Sequence, residues 1–280
     1  MARIRVVSDS ACDLNADLAA ERGVTIVPLS IRFGSEEFVD GSTLSTDDFW
    51  ARCAASPVLP ETSAPSPGAF QAAFVAADDD GYDGVLSISL SAGVSATYQA
   101  AVTAAKTVGD RIPVRTIDSR SMTMGQGLMA LDLAELAAGG ASLDELTARA
   151  EQLIPRTRVF GVVDTLEHLE KGGRIGGARA LLGSLLSIKP VVTLVDGVVA
   201  EESKQRTRSR SLRYLADKAK TAAPLSRLAV CNGAAADIDE FLEMIEGVQT
   251  QHPLVVVDLG PVVGTHTGPG TIGVCMVAPD

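Results

Sequence analysis

Short apolar runs alternate with amphipathic stretches along the chain, which is the pattern of strands separated by helices. "IRVVSDS" (4–10) is a β-rich run ending in polar residues, and "DLNADLAAERG" (13–23) follows with helical spacing and a stop at Gly23. "VTIVPLSIRF" (24–33) predicts the next strand. Ser45, Thr46 and Asp48 supply an N-terminal signal for the helix "DDFWARCAA" (47–55). Ser66, with Pro67 at the first helical position, opens "PGAFQAAFVAAD" (67–78). Then come strand "GVLSISLS" (84–91), helix "SATYQAAVTAAK" (95–106), strand "PVRTIDS" (113–119) and helix "MGQGLMALDLAELAAGG" (124–140). Ser142 and Glu145 form a capping box for "LDELTARAEQL" (143–153).

The second half reads differently. "TRVFGVVDT" (157–165) is a strand, followed by a short helix and the glycine-rich "KGGRIGGARALLGSLLS" (171–187). "KPVVTLVDGVVAEESKQR" (189–206) predicts a hairpin with Asp196-Gly197 as its two-residue turn. "RLAVCNG" (227–233) and "PLVVVDLGPVVG" (253–264) predict strands around the helix "DIDEFLEMIEG" (237–247), and "TIGVCMVA" (271–278) a last strand. The expected fold class is α/β, with two α/β domains. The first, residues 1–155, carries a mostly parallel sheet; the second, 156–280, a mixed one.

Composition narrows the function classes. The hydrophobic fraction of 46% supports a packed core, and with only 4% aromatics that core rests on Ala, Val, Leu and Ile. A net charge of −11 opposes nucleic-acid binding or adhesion to an anionic membrane as the global activity. "MARIRVVSDS" has no apolar h-region, and no apolar run approaches the ~20 residues of a membrane helix. Cys12, Cys53, Cys231 and Cys275 are scattered, with no C-x-x-C pair, as expected of small buried hydrophobes in a reducing compartment. A cytoplasmic protein without metal or cofactor is expected.

Familiar chemical motifs fail their context tests. No Walker A sequence, H-E-x-x-H or G-x-S-x-G is present. Gly268, Gly270 and Gly273 spell G-x-G-x-x-G, but only seven residues follow, too few for the helix and acidic residue of a dinucleotide site. "GQGLMA" (125–130) is a weaker lookalike. What remains is a set of Ser/Thr loops at strand-to-helix transitions: "SDSACDL" (8–14), "ETSAPSPG" (61–68), "SAGVSATYQ" (91–99) and "DSRSMTMGQG" (118–127). Each alone is ordinary N-capping. Four in one half-sheet suggest an anion site at the carboxyl ends of the strands. The glycine-rich "GTHTGPGTIGV" (264–274) holds His266 and reads as a turn before the last strand or as a small polar cradle.

Taken in order, these motifs resemble the DegV family, whose studied members act as the acyl-carrying subunit (FakB) of bacterial fatty acid kinase. "SDSACDL" is similar to the family's T-D-S-x-x-D-L, "ETSAPSPG" to T-S-x-P-S, and "SATYQAA" to S-G-T-Y-Q. "DSRSMTMGQG", "LEHLEKGGRIGG", "IKPVVTLVDGVV", "KQRTRSRS" and "GTHTGPGTIGV" continue the series to the end of the chain. Ala96 stands for the Gly of S-G-T-Y, Thr123 for a Ser and His168 for a Tyr.

The resemblance implies two domains with a long-chain fatty acid between them, its tail in an apolar tunnel. It implies that Thr62, Ser95 and His266 hold the carboxylate, with Ser63, Thr265 and Thr267 as adjacent candidates. It further implies that the chain is not itself an enzyme and presents the acid to a separate kinase subunit. The basic run "KQRTRSRSLR" (204–213) is the docking candidate. If it is helical from near Thr207, Arg206, Arg210 and Arg213 share a face at i, i+4 and i+7, with Arg174 adding to it. Transient membrane contact is compatible with a lipid cargo. Two alternatives stand beside this reading. One is a serine-dependent acyl hydrolase or thioesterase with Ser95 as nucleophile and His266 as base. The other is a lipid transporter or sensor without a kinase.

Overall fold

A computed structural model describes residues 2–56, 58–180 and 188–280. The end of "KGGRIGGARALLGSLLS", residues 181–187, lies outside the described residues. In chain order the first part runs β1 (Ile4–Asp9), α1 (Ala16–Glu21), β2 (Val24–Val27), β3 (Ser30–Phe33), β4 (Glu36–Val39), α2 (Thr46–Ala55), β5 (Glu61–Ser63), α3 (Pro67–Asp79), β6 (Gly84–Ser89), α4 (Thr97–Val108), β7 (Val114–Asp118), α5 (Thr123–Ala138) and α6 (Leu143–Leu153). The second runs β8 (Thr157–Val162), α7 (Glu167–Lys171), β9 (Lys189–Val195), β10 (Val198–Gln205), α8 (Arg208–Ala222), β11 (Arg227–Gly233), α9 (Ile238–Met244), β12 (Val255–Asp258), α10 (Pro261–Thr267) and β13 (Thr271–Val277).

Among the described residues the strands form three sheets. β2-β1-β6-β7 is wholly parallel. β10-β9-β8-β13-β11-β12 is mixed, with only β11 and β12 parallel. The central strand β6 is buried at every residue, because helices cover both faces of a parallel sheet. The third sheet, antiparallel β4-β3-β5, was not expected from the pattern. It arises because "VTIVPLSIRF" is two strands rather than one: the chain breaks at Pro28 and Leu29, so β2 joins the parallel sheet and β3 the small one. Proline has no N–H for a continuous ladder.

A second correction lies in "PLVVVDLGPVVG". Only Val255–Asp258 is strand, and from Pro261 the chain is the short helix α10, which runs through Thr265 and His266 to Thr267. Pro261 at the first helical position and its apolar neighbours suit this start. The Ser142–Glu145 capping box and the Asp196-Gly197 hairpin turn form as expected.

Helix α5 lies between the two large sheets, touching β1 on one side and β8, β11 and β13 on the other. It is buried nearly all round, as its predominantly apolar sequence requires. Here the G-x-G-x-x-A lookalike is explained. A Cβ on Gly125 would stand 2.4 Å from Val159 Cγ2, and one on Gly127 2.5 Å from the Cys12 carbonyl oxygen. Both glycines serve close packing. One apolar core continues through this helix from Val6 and Leu86 to Cys231 and Cys275.

Candidate functional site

The parallel sheet changes direction between β1 and β6, the place where an open α/β sheet leaves a crevice. Most Ser/Thr/Asp groups there hold the backbone together. Asp9 accepts from Leu90 N (2.9 Å), Ala11 N (3.2 Å) and Gln126 Nε2 (3.1 Å). Burial pushes its carboxyl up to about 7, against the lowering by these donors. Ser8 Oγ donates to Ile88 O. Ser66 caps α3 and Ser119 Oγ donates to Ser121 O. Three sequence loops therefore turn out to be largely structural: "SDSACDL", most of "DSRSMTMGQG", and the second half of "ETSAPSPG".

Beyond this zipped edge, between the parallel and mixed sheets, is a cavity of about 200 Å³. Its walls are predominantly apolar: Leu29, Leu90, Val94 and Met122 from the first half, Val163, Leu169, Val192 and Val199 from the second. Thr62, Ser95, Arg174 and His266 line it as well. A second, more open depression next to it is also lined by Thr62, His168, Lys171, Arg174 and His266. Thr62, Arg174 and His266 line both, and so border the cavity where it approaches the surface.

Each polar group comes from a different element. Thr62 is the middle residue of β5, opposite Ile31 of β3. His266 sits in the last turn of α10. The two meet through Thr62 Oγ1 and His266 Nε2 at 2.8 Å. Ser95 precedes α4, its Oγ 2.9 Å from Thr97 Oγ1 and accepting from Thr97 N. His266 Nδ1 is buried with no hydrogen-bond partner among the described residues. Burial, then the Arg174 guanidinium and the His168 ring, push the imidazole down to about 4, so it is neutral at physiological pH. The unpartnered Nδ1 faces Gly172, where a Cβ would lie 2.3 Å away. The first glycine of "KGGRI" is therefore required by the imidazole of "GTHTG", nearly a hundred residues on.

The structure brings Thr62, Ser95 and His266 to one cavity, but not every neighbour. Ser63 is exposed on the other side of its strand and does not line the cavity, since side chains alternate along β5. The hydroxyls of Thr265 and Thr267 turn back to the carbonyls of Pro261 (2.8 Å) and Val263 (3.2 Å), as threonines inside helices do. They are helix groups rather than cradle donors, although Thr267 still touches the cavity. Arg174 was placed with the docking cluster by sequence alone. It instead lines the cavity, with Nε bonded to Val94 O at 3.1 Å and Nη1 to Gly172 O at 2.7 Å.

The supposed helical face of three arginines is also revised. Helix α8 begins at Arg208 with Thr207 as its cap, so Arg206 precedes it and only Arg210 and Arg213 are helical. All three are exposed. Arg208 is tied to Asp237 and Asp164.

Among the described residues no group of three or more His, Cys, Asp or Glu is placed to hold a metal ion. Among the described residues no helix is long and apolar enough to cross a membrane.

The chain matches the family model described as "Uncharacterised protein, DegV family" over residues 3–279. It is 36% identical over 280 residues to a DegV domain-containing protein of Streptomyces coelicolor, covering 97% of each chain. A fatty-acid-binding DegV family protein of Thermus thermophilus superposes with a TM-score of 0.90 at 31% identity, over 99% of this chain and 100% of that one. DegV of Bacillus subtilis, a fatty-acid-binding protein, gives 0.86 at 30% identity over the whole of both chains. A stearic-acid-binding protein of Eubacterium ventriosum gives 0.88 at 27% identity, over 99% and 98%. The likeness is end to end in both sequence and fold, and the chain belongs to the DegV family.

Proposed function

We propose that this chain binds one long-chain fatty acid, its tail in the apolar cavity and its carboxylate at Thr62, Ser95 and His266. The observation that carries the proposal is the presence of Thr62, Ser95 and His266, with Arg174, on the wall of a predominantly apolar cavity, in a fold shared with fatty-acid-binding relatives. Each buried methylene contributes ~0.8 kcal/mol, so a long tail contributes on the order of 10 kcal/mol before costs. A carboxylate buried without partners would cancel much of that, and hydroxyl and imidazole donors offset the loss. Residues 1–155 and 156–280 act in this reading as two domains with the ligand between them.

The same reading gives the chain a carrier's role in the cytoplasm, presenting the carboxylate to a separate kinase subunit that docks on Arg206, Arg210 and Arg213. Against the hydrolase alternative, His266 Nε2 is bonded to Thr62 and Ser95 Oγ to Thr97, so the nucleophile-to-base bond of a serine hydrolase is not formed. Titration calorimetry of delipidated protein with hexadecanoate and methyl hexadecanoate tests the proposal. Submicromolar binding of the acid, lost roughly tenfold to a hundredfold in Ser95→Ala, is expected. Absence of acid binding, or turnover of an acyl thioester by the protein alone, overturns it.

A further inference from the structure

His266 owes its place to a seven-residue helix, which is too short to hold its own position. The peptide unit just before that helix, Leu259–Gly260, is held on both of its polar atoms by side chains from far away in the sequence. Trp50 Nε1–H donates to the Leu259 carbonyl oxygen at 3.2 Å. The Gly260 N–H donates to Asp13 Oδ1 at 3.2 Å, while Thr123 Oγ1 donates to Asp13 Oδ2 at 2.5 Å. Asp13 is buried, in a left-handed backbone conformation (φ 54°) that aims its carboxyl across to the second half of the chain. The fit leaves no slack: a Cβ on Gly260 would lie 2.5 Å from Asp13 Oδ1. One turn on, a Cβ on Gly264 would lie 2.9 Å from the Phe49 and Trp50 rings.

We propose that Asp13 and Trp50 are positioning residues that grip the Leu259–Gly260 peptide and so hold α10, with His266 in register against Thr62. Six residues of helix separate Gly260 from His266, about 9 Å at 1.5 Å per residue. Over that distance the helix moves as a rigid piece, and a slip of 1 Å at the peptide reaches the imidazole undiminished. It would stretch the 2.8 Å Thr62–His266 bond beyond hydrogen-bonding distance. This explains why an aspartate of the opening "SDSACDL" motif and the single tryptophan both matter to a site they do not line. The reading of their effect on ligand binding rests on the fatty-acid function proposed above; the grip itself does not.

Amide exchange in the unliganded wild-type protein is the first test. The Gly260 N–H is expected to exchange at least a hundredfold more slowly than the exposed loop amides, and exchange at the exposed-loop rate overturns the grip. Trp50→Phe keeps an aromatic ring packed against α10 and removes the donor. It is expected to speed Gly260 exchange and to weaken hexadecanoate binding about tenfold, while methyl hexadecanoate changes less than twofold. Equal loss of acid and ester, or loss of neither, means that Trp50 serves packing alone and overturns its role. Asp13→Ala is expected to behave like Trp50→Phe, and Asp13→Asn, which keeps the Oδ1 acceptor, to restore both readouts. Failure of that rescue overturns the role of Asp13. If wild-type protein binds neither acid nor ester, the fatty-acid reading fails, and the exchange rates alone decide the grip.

Discussion

A half-buried, neutral histidine makes stability depend on pH in a direction that can be worked out. The His266 imidazole is pushed from 6.5 in the open chain down to about 4 in the folded one. Between those values the unfolded state holds the extra proton and the folded state does not, so the His266 contribution to stability falls as the solution is acidified. From pH 7 to pH 5 the loss is about 2 kcal/mol, set by the 1.5 pH units below the open-chain value at 1.36 kcal/mol each. Replacing the ring by a non-titrating amide, His266→Gln, removes this term. Urea unfolding of delipidated wild type and variant at both pH values isolates it, because the other titrating groups are common to the two proteins. The difference in stability between wild type and variant should shift by about 2 kcal/mol against the wild type at the lower pH. No shift would refute the burial of the imidazole and, with it, the reading of Nδ1 as a shielded, unpartnered atom.

Asp9 works in the opposite sense. Its folded value of about 7 lies above the open-chain 3.8, so folding takes up a proton between the two and the stability from this group declines as pH rises. Asp9→Asn should therefore gain about 2 kcal/mol relative to wild type between pH 5 and pH 7, read from the same urea curves, and a constant difference would refute the assignment. Asp40, raised to about 6, adds in the same direction. Gly172→Ala forces a methyl to 2.3 Å from His266 Nδ1 and should cost ~1–3 kcal/mol of stability together with most of the acid affinity; an unchanged melting temperature contradicts the contact. On the proposed carrier role, charge reversal at Arg206 and Arg210 should weaken association with the proposed kinase subunit, measured by pull-down or interferometry, and leave fatty-acid affinity intact. Loss of both would place these arginines in the fold or the ligand site.

The sequence by itself determined the alternation of strand and helix, the parallel first sheet, the hairpin turn and the helix caps. The elements, the turn and the caps depend on neighbours within a few residues: period, proline and glycine placement, and a Ser three positions before a Glu; the parallel sheet followed from the alternation as a whole, since parallel strands need a crossover between them. It also pointed to Thr62, Ser95 and His266, because a series of short motifs in one order is specific even when each is weak. Tertiary structure decided the rest. The β2–β3 break and the third sheet depend on which partner strands are available, and a local window does not contain those. Ser63 is separated from Thr62 by the alternation of a strand whose facing was set only by pairing with β3. Thr265 and Thr267 lost their cradle role when "PVVGTHT" became a helix whose own carbonyls took their hydroxyls. Arg174 moved from a surface cluster to the cavity, and Gly172 acquired its reason, only when α10 laid an imidazole against the "KGGRI" turn. The physical cause is common to these cases: which face a side chain presents is local, but what it meets there depends on chain segments many tens of residues away.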